Sequence, residues 1–409
     1  MKKLRALLLQ AAVAAVSLVL SLAMVEGVLR ALRPSQRFFP YHVNSVQVVY
    51  PSPEITPGVE GVSHFTTNSY GTRGPDLGQE RVRLLTIGGS TTACTVLDDV
   101  ETWPYLLMQD VDSDAKDPQL LWVTNSGIDG LNSQHHLMHA KYLLPVLPRI
   151  DFVLVYAGLN DVGTWLYKER FDPHDLDDPE HWNSRIGEAF RVSNYTPDSW
   201  PWYKRLELWK RASVIKDRYL SLRETAQEKR GAIVEDAQLH WMQEEQQRRA
   251  ELQKTFVHVA KRETLPAALD AYADNLKRIA ELVKARGAVP VFVAQFAESK
   301  KGSDYENPRF WMGAMDGGKQ YAKDSEIGAF VRMFNARMGE VAAANGAIFI
   351  DPPADLAGDS DLFYDGIHLN EKGAQVFARY LAGKLEPAIR ERDAACRGGG
   401  CDAPTTAAR

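Results

Sequence analysis

Five short apolar runs, each closing on small or polar residues, recur along the chain from Arg83 onward. They are RLLTI (Arg83–Ile87), LWVTNSG (Leu121–Gly127), DFVLVYAG (Asp151–Gly158), VPVFVAQ (Val289–Gln295) and AIFID (Ala347–Asp351). Runs of this length, apolar at consecutive positions, predict strands buried on both faces, as in a parallel sheet. Between the runs the period changes. Leu269, Tyr272, Leu276, Ile279 and Val283 step by three and four before Gly287, and Ile327, Phe330, Phe334, Met338 and Val341 do the same before Gly346. These patterns predict amphipathic helices with glycine stops. Strands that alternate with helices need right-handed crossovers, so the expected fold is α/β: a three-layer α/β/α sandwich around a mostly parallel five-stranded sheet.

Two stretches break the alternation. Lys2, Lys3 and Arg5 precede an apolar run from Ala6 to Val25, interrupted only by Gln10, Ser17 and Ser21. It is long enough to cross a bilayer, and SLAMVEGVLR offers only a poor cleavage site, so an uncleaved signal anchor fits better than a cleaved signal peptide. The early cations, set against the later Arg30 and Arg33, keep the N-terminus cytoplasmic and place the body of the chain on the extracytoplasmic, periplasmic side. If the segment is cleaved, the protein is secreted. The second stretch runs from about 165 to 264, has no convincing buried strand, and reads as a helical insertion. It is either a solvated hairpin or a lid whose Trp165, Trp182, Trp200, Trp202 and Trp209 could stack on a sugar or cover an acyl chain. The expected layout is a membrane anchor over 1–33, a linker and approach segment over 34–78, the α/β domain over 79–388 and a disordered tail over 389–409.

With 45% hydrophobic and 25% charged residues the chain can build a large core. A net charge of -5 argues against a nucleic-acid partner, which requires a dominant basic surface. No cysteine spacing suggests zinc. Cys396 and Cys401 could close a small loop in an oxidising compartment or stay as two thiols in the tail, and Cys94 reads as a small packing residue. His135, His136 and His139 have metal-like spacing, but no glutamate completes a zinc-protease pattern, so they read as a helix packed behind Gly127.

In a parallel α/β sheet the loops beyond the carboxyl ends of the strands carry ligands. Gly88, Gly89 and Ser90 follow the first run, Ser126 and Gly127 the second, and Gly158, Leu159, Asn160 and Asp161 the third; Asp365 and His368 come shortly after the fifth. These residue types answer the demands of ester chemistry. A serine hydroxyl needs a neighbouring imidazole to take its proton, and the imidazole needs a carboxylate to fix its tautomer. The oxyanion formed on attack needs preorganised donors, for which the N–H groups of Ser90 and Gly127 and the amide of Asn160 are candidates. Asp161 reads as a loop-bonding residue and not as a base.

The set TIGGSTT, NSGIDG, YAGLND and YDGIHLNEKG, in that order, resembles the SGNH (GDSL-type) hydrolase superfamily, whose four letters correspond to Ser90, Gly127, Asn160 and His368. The resemblance spans roughly Asn68 to Leu381, and NSYGTRG (Asn68–Gly74) resembles an approach segment of membrane-anchored members. It implies a flavodoxin-like fold, a serine nucleophile after the first strand, and no metal or organic cofactor. Gly89 stands where the family often has Asp. The expected function is a serine esterase with Ser90 as nucleophile, His368 as base and Asp365 orienting it, acting on an ester-bearing small molecule, glycan or lipid of the cell envelope. An O-acyltransferase of envelope polysaccharide and a non-catalytic carbohydrate-binding module are the alternatives.

Overall fold

The computed structural model describes residues 2–32, 37–117, 119–168, 170–197, 200–213, 215–216, 237–252, 262–297, 307 and 309–400. They fall into two compact units: residues 1–37 with 194–234, and residues 38–193 with 235–409.

The first unit is built on helix α1 (Lys2–Ala31), whose stretch Leu7–Ala31 has a mean hydropathy of 2.3 and no part buried. It is one helix long and apolar enough to cross a membrane. At its C-terminal end the Glu26 carboxylate accepts the backbone N–H groups of Glu207 and Leu208, both at 3.0 Å. Trp200, Trp202 and Trp209 belong to this unit.

The second unit holds the sheet. Its strands are β1 (Phe38–Phe39), β2 (Val46–Val49), β3 (Ser63–Thr66), β4 (Val82–Gly88), β5 (Leu121–Asn125), β6 (Phe152–Ala157), β7 (Val192–Ser193), β8 (Val289–Ala294), β9 (Ala314–Met315), β10 (Gln320–Tyr321) and β11 (Ile348–Ile350). Five of them form a parallel sheet in the order β11-β8-β6-β4-β5, and β1–β7, β2–β3 and β9–β10 are small antiparallel pairs. Counted by appearance from the β5 edge, the main order is 2-1-3-4-5, the flavodoxin-like winding. All five predicted runs are therefore strands of one parallel sheet, as the alternation implied. Every residue of β4, β5 and β6 is buried, which is why these runs are apolar without alternation.

Helices cover both faces. The helices of this unit include α2 (Ser90–Ala93), α3 (Trp103–Ala115), α4 (Ser133–Met138), α5 (Leu159–Lys168), α6 (Pro179–Ala189), α7 (Ala237–Leu252), α8 (Leu265–Ala285), α9 (Asp324–Asn345), α10 (Ala354–Gly358) and α11 (Glu371–Ala395). On one face Trp103, Leu107 and Val111 of α3 meet Phe377, Leu381 and Leu385 of α11 above Leu84 and Val123. On the other, α8 and α9 pack together through the predicted stripes, with Tyr272 against Phe334 at 5.1 Å. Gly287 and Gly346, at φ 73° and 63°, end these helices in the left-handed conformation that glycine adopts without strain.

Two boundaries and the place of one tryptophan differ from expectation. From Phe38 onward the stretch read as linker packs into the second unit, because Arg73 pairs its backbone with Asn125 of β5 and buries its guanidinium. Helix α11 runs to Ala395, beyond residue 388, because Ile389 is buried and Arg392 donates to the buried Asp151 at 2.7 Å. Trp165 is core and not lid: it is buried edge-on to Phe330, and its indole donates to Thr264. Cys94 is a buried free thiol, held up at a pKa of about 12 by burial. Cys401 lies outside the described residues.

Candidate active site

Strand β4 ends at Gly88, where the chain must turn into α2 within one residue. A Cβ at Gly88 would lie 2.0 Å from Thr92 Oγ1 and 2.9 Å from the Tyr156 carbonyl, so only glycine fits. A Cβ at Gly89 would likewise meet Asn160 Nδ2 at 2.3 Å and the Leu131 carbonyl at 3.0 Å, which leaves no room for a larger residue before Ser90.

Helix α2 is a single turn, and a helix this short is not stable by itself. Its carbonyls are held from outside. Trp103 Nε1 donates to the Thr91 carbonyl at 2.9 Å, Asn125 Nδ2 to that of Thr92 at 2.7 Å, and Arg73 Nη1 to those of Ala93 and Cys94 at 2.8 Å each. Gln295 Nε2 adds a bond to Thr91 Oγ1 at 2.8 Å. Three side chains thus satisfy the C-terminal carbonyls that a helix leaves open, and with Gln295 on the Thr91 hydroxyl they fix where Ser90 stands.

Ser90 meets the loop after β11. His368 Nε2 lies 2.7 Å from Ser90 Oγ, and His368 Nδ1 lies 2.7 Å from Asp365 Oδ2. The network sets the tautomer: Nδ1–H donates to the carboxylate, which leaves Nε2 to accept the serine proton. Asp365 is fully buried. Its Oδ1 accepts the N–H groups of Ile367 at 2.9 Å and His368 at 2.8 Å, and its Oδ2 accepts Trp311 Nε1 at 2.7 Å. The His368 ring lies nearly parallel to those of Tyr364 and Trp311, at interplanar angles of 10° and 14°. Burial alone would raise the Asp365 carboxyl, but the charge of His368 and the donated bonds outweigh it and hold the pKa below the usual carboxylate value. Burial would lower His368, and the facing Asp365 charge overcomes this and raises it.

Ser90, Asp365 and His368 are therefore brought together as the sequence predicted, and Asn160 stands beside them against Gly89. Asn160 Nδ2 spends one N–H on the Leu131 carbonyl at 2.8 Å. Gly127 is not brought to the group. Its N–H donates to Asn125 Oδ1 at 2.8 Å, and a Cβ there would lie 2.4 Å from the Ala93 nitrogen, so this glycine serves the packing of α2. Gly130, at φ 78°, faces open space next to Leu131, and its N–H has no acceptor among the described residues. Gly130, the second glycine of NSGIDG, stands out in the sequence only as a turn signal, and Trp311 carries no local signal at all.

The other candidates take structural places. Asp161 is buried and accepts from the Ser133 N–H at 3.0 Å and its hydroxyl at 2.5 Å. His136 and His139 are buried in the core, and His139 Nε2 bonds the Ala189 carbonyl at 2.8 Å. His135 pairs with Glu188 at 2.6 Å. Among the described residues no cluster of His, Cys, Asp or Glu is placed to hold a metal.

A cleft of about 660 Å³ opens beside Asn160 and Trp311. Its lining mixes the apolar and aromatic surfaces of Tyr167, Trp311 and Met312 with both charges, Lys168, Arg185 and Arg248 beside Glu188, Glu244 and Glu245. The last two and Arg248 come from α7, inside the predicted insertion. That helix is tied down by the buried Arg249, which bonds Asp324 of α9 and the Met312 carbonyl.

Residues 86–376 match the GDSL-like Lipase/Acylhydrolase family, well over half of the chain. Among curated proteins nothing matches the sequence. Similar solved structures include LAE5, an alpha/beta hydrolase enzyme from the metagenome of Lake Arreo, Spain. It has 12% identity and a TM-score of 0.41, with 76% of this chain and 98% of that one covered. A catalytic mutant of Axe2, an acetylxylan esterase from Geobacillus stearothermophilus, has 12% identity and a TM-score of 0.40 over 76% and 96% of the two chains. The psychrotrophic esterase EstA from Pseudoalteromonas sp. has 14% identity and a TM-score of 0.38 over 75% and 98%. The chain belongs to the GDSL-like lipase/acylhydrolase family and is an enzyme that hydrolyses ester bonds.

Proposed function

We propose that the protein is a membrane-anchored serine esterase that removes acyl groups from an acylated carbohydrate of the cell envelope through an acyl-enzyme. The reading rests on one observation above all: Ser90 Oγ, His368 and Asp365 are already in hydrogen-bond register, at 2.7 Å for each link. His368 Nε2 takes the Ser90 proton as Oγ forms a bond to the ester carbonyl carbon. The oxyanion is held by the N–H of Ser90, the remaining N–H of Asn160 and the N–H of Gly130, which replaces Gly127 in this role. Collapse breaks the bond to the alcohol oxygen, which leaves with the proton from His368. Water, deprotonated by His368, then releases the acid and restores Ser90.

The cleft sets the aromatic side chains of Tyr167 and Trp311 beside charged groups of both signs, and this mixture supports a carbohydrate, whose ring faces stack on aromatics and whose hydroxyls take hydrogen bonds. Helix α1, with Lys2, Lys3 and Arg5 ahead of its apolar run, supports an anchor with the enzyme unit on the extracytoplasmic side.

The test is intact-mass spectrometry of the full chain in detergent after incubation with a fluorophosphonate, followed by turnover of an acetylated oligosaccharide. One adduct that is lost in Ser90→Ala, with acetate release from the sugar, is the expected result. An adduct without acetate release would overturn the carbohydrate assignment alone. Transfer of the acetyl group to an added oligosaccharide, in place of release to water, would make the enzyme a transferase.

A further inference from the structure

The tryptophans at 200, 202 and 209 take no part in the enzyme unit, yet they are unusually exposed. Trp202 is 75% exposed, Trp209 47%, Trp200 43% and Tyr203 39%, and Ile215 is 70% exposed. Large apolar side chains shown in one contiguous stretch mark a contact surface. The stretch PWYKRLELWKRASVIK also carries Lys204, Arg205, Lys210, Arg211 and Lys216 against one acid, Glu207, which pairs with Lys210 at 2.8 Å. Tryptophan and tyrosine interleaved with cations are the residues that settle where a bilayer meets water.

The first unit supplies the reason to name a lipid surface. Glu26 of α1 receives the N–H groups of Glu207 and Leu208 at 3.0 Å, and Arg30 Nε at 2.7 Å. Helix α1 rises about 1.5 Å per residue, so Glu26 lies about 28 Å along the axis from Leu7, where the apolar span starts. The hydrocarbon core of a bilayer is about 30 Å thick. If Leu7 stands at one edge of that core, Glu26 stands at the other, in the headgroup layer, and the segment bonded to it is held at the same depth. Tyr203 stacks edge-on with both Trp202 and Trp209, at 6.0 and 5.2 Å, so the aromatic groups form one cluster there.

We propose that Trp200–Lys216 is an interfacial membrane-binding segment: its aromatic side chains enter the headgroup layer of the leaflet into which α1 emerges, and its cations engage anionic lipid. The inference rests on α1 crossing the bilayer but not on the esterase assignment.

The full chain is reconstituted in nanodiscs of phosphatidylcholine with phosphatidylglycerol, in which the phosphatidylcholine is brominated either near the glycerol or near the chain ends. Helix α1 contains no tryptophan, and Trp103, Trp122 and Trp165 are buried in the core of the enzyme unit, so bromine quenching reads tryptophans outside both. The expected result is strong quenching by the shallow bromines and little by the deep ones. The quenched fraction should fall at least twofold in Trp200→Ser/Trp202→Ser/Trp209→Ser and also when phosphatidylglycerol is omitted. Turnover of a small soluble ester should stay within twofold, which shows that the variant is folded. Equal quenching in wild type and variant, or quenching of these tryptophans by aqueous acrylamide and not by bromolipid, overturns the proposal, as does binding to a glycan or protein in their place. Extraction of the chain from membranes by alkaline carbonate would instead refute the anchor.

Discussion

The group that decides activity is the His368 imidazole, which must be neutral to accept the Ser90 proton. Its pKa is raised by Asp365, so kcat/KM for a small ester should climb with pH through a midpoint above about 6.5, the ordinary histidine value. A midpoint below that value would mean that burial, and not the carboxylate, governs His368. Trp311 acts one step back. Its indole N–H shares Asp365 Oδ2 with the imidazole, so Trp311→Phe leaves more of the oxygen's charge for His368. The expected outcome is a loss of about tenfold in kcat, the worth of one charge-assisted bond, with the pH midpoint moved upward. A variant with lower activity and an unmoved midpoint would give Trp311 a packing role only. Ser90, Asp365 and His368 were legible because each follows a strand end within a local motif. Trp311 was not, because it comes from an irregular stretch 54 positions away from Asp365, with no periodicity to mark it.

Short elements carry the site, and their anchoring explains which glycine does what. Asn125 at the end of β5 uses both halves of its amide, Nδ2 on the Thr92 carbonyl and Oδ1 on the Gly127 N–H. The sequence shows two glycines in NSGIDG but not the direction of the loop between them, which this one side chain sets. Gly127→Ala should therefore act through stability: a Cβ 2.4 Å from backbone forces α2 to shift, and the melting temperature should drop by several degrees along with activity. Retained melting with lost activity would return Gly127 to the oxyanion hole. Helices α4 and α5 are joined in a similar way, through Asp161 and Ser133. Burial raises the Asp161 carboxyl to about 7, so the folded state favours its neutral form. The stability it contributes is full below the unfolded value of about 3.9 and is lost as pH rises through about 7. Asp161→Asn should thus gain stability relative to wild type between about pH 4 and pH 7, read as a melting difference that grows over that window. A flat difference would mean that the Ser133 bonds keep Asp161 ionised.

The architecture as a whole was readable because a buried parallel sheet leaves consecutive apolar runs and its crossovers leave helix periods. What stayed hidden was how the chain before β4 joins that architecture. Residues 38–78 contain only two- and four-residue strands, whose pattern is too short to separate from a linker. Arg73 supplies the missing connection. Its backbone pairs with Asn125 at 2.8 and 3.0 Å, and its guanidinium reaches Asp99 at 2.8 Å and the carbonyls of His64, Ala93, Cys94 and Leu97 while lying over Phe65. One buried cation thus ties the N-terminal hairpin, the turn that carries Ser90 and the edge strand into one unit. Arg73→Met keeps the apolar contact and removes every donor, so four carbonyls and a carboxylate lose a partner. The expected cost is on the order of 3 kcal/mol or more. Chemical denaturation of the full chain in detergent should show the transition midpoint falling, and the fluorophosphonate should label Ser90 more slowly well below that transition, because the C-terminal carbonyls of α2 are no longer held. Unchanged labelling beside reduced stability would show that Trp103, Asn125 and Gln295 suffice to place the nucleophile, and that Arg73 serves the fold alone.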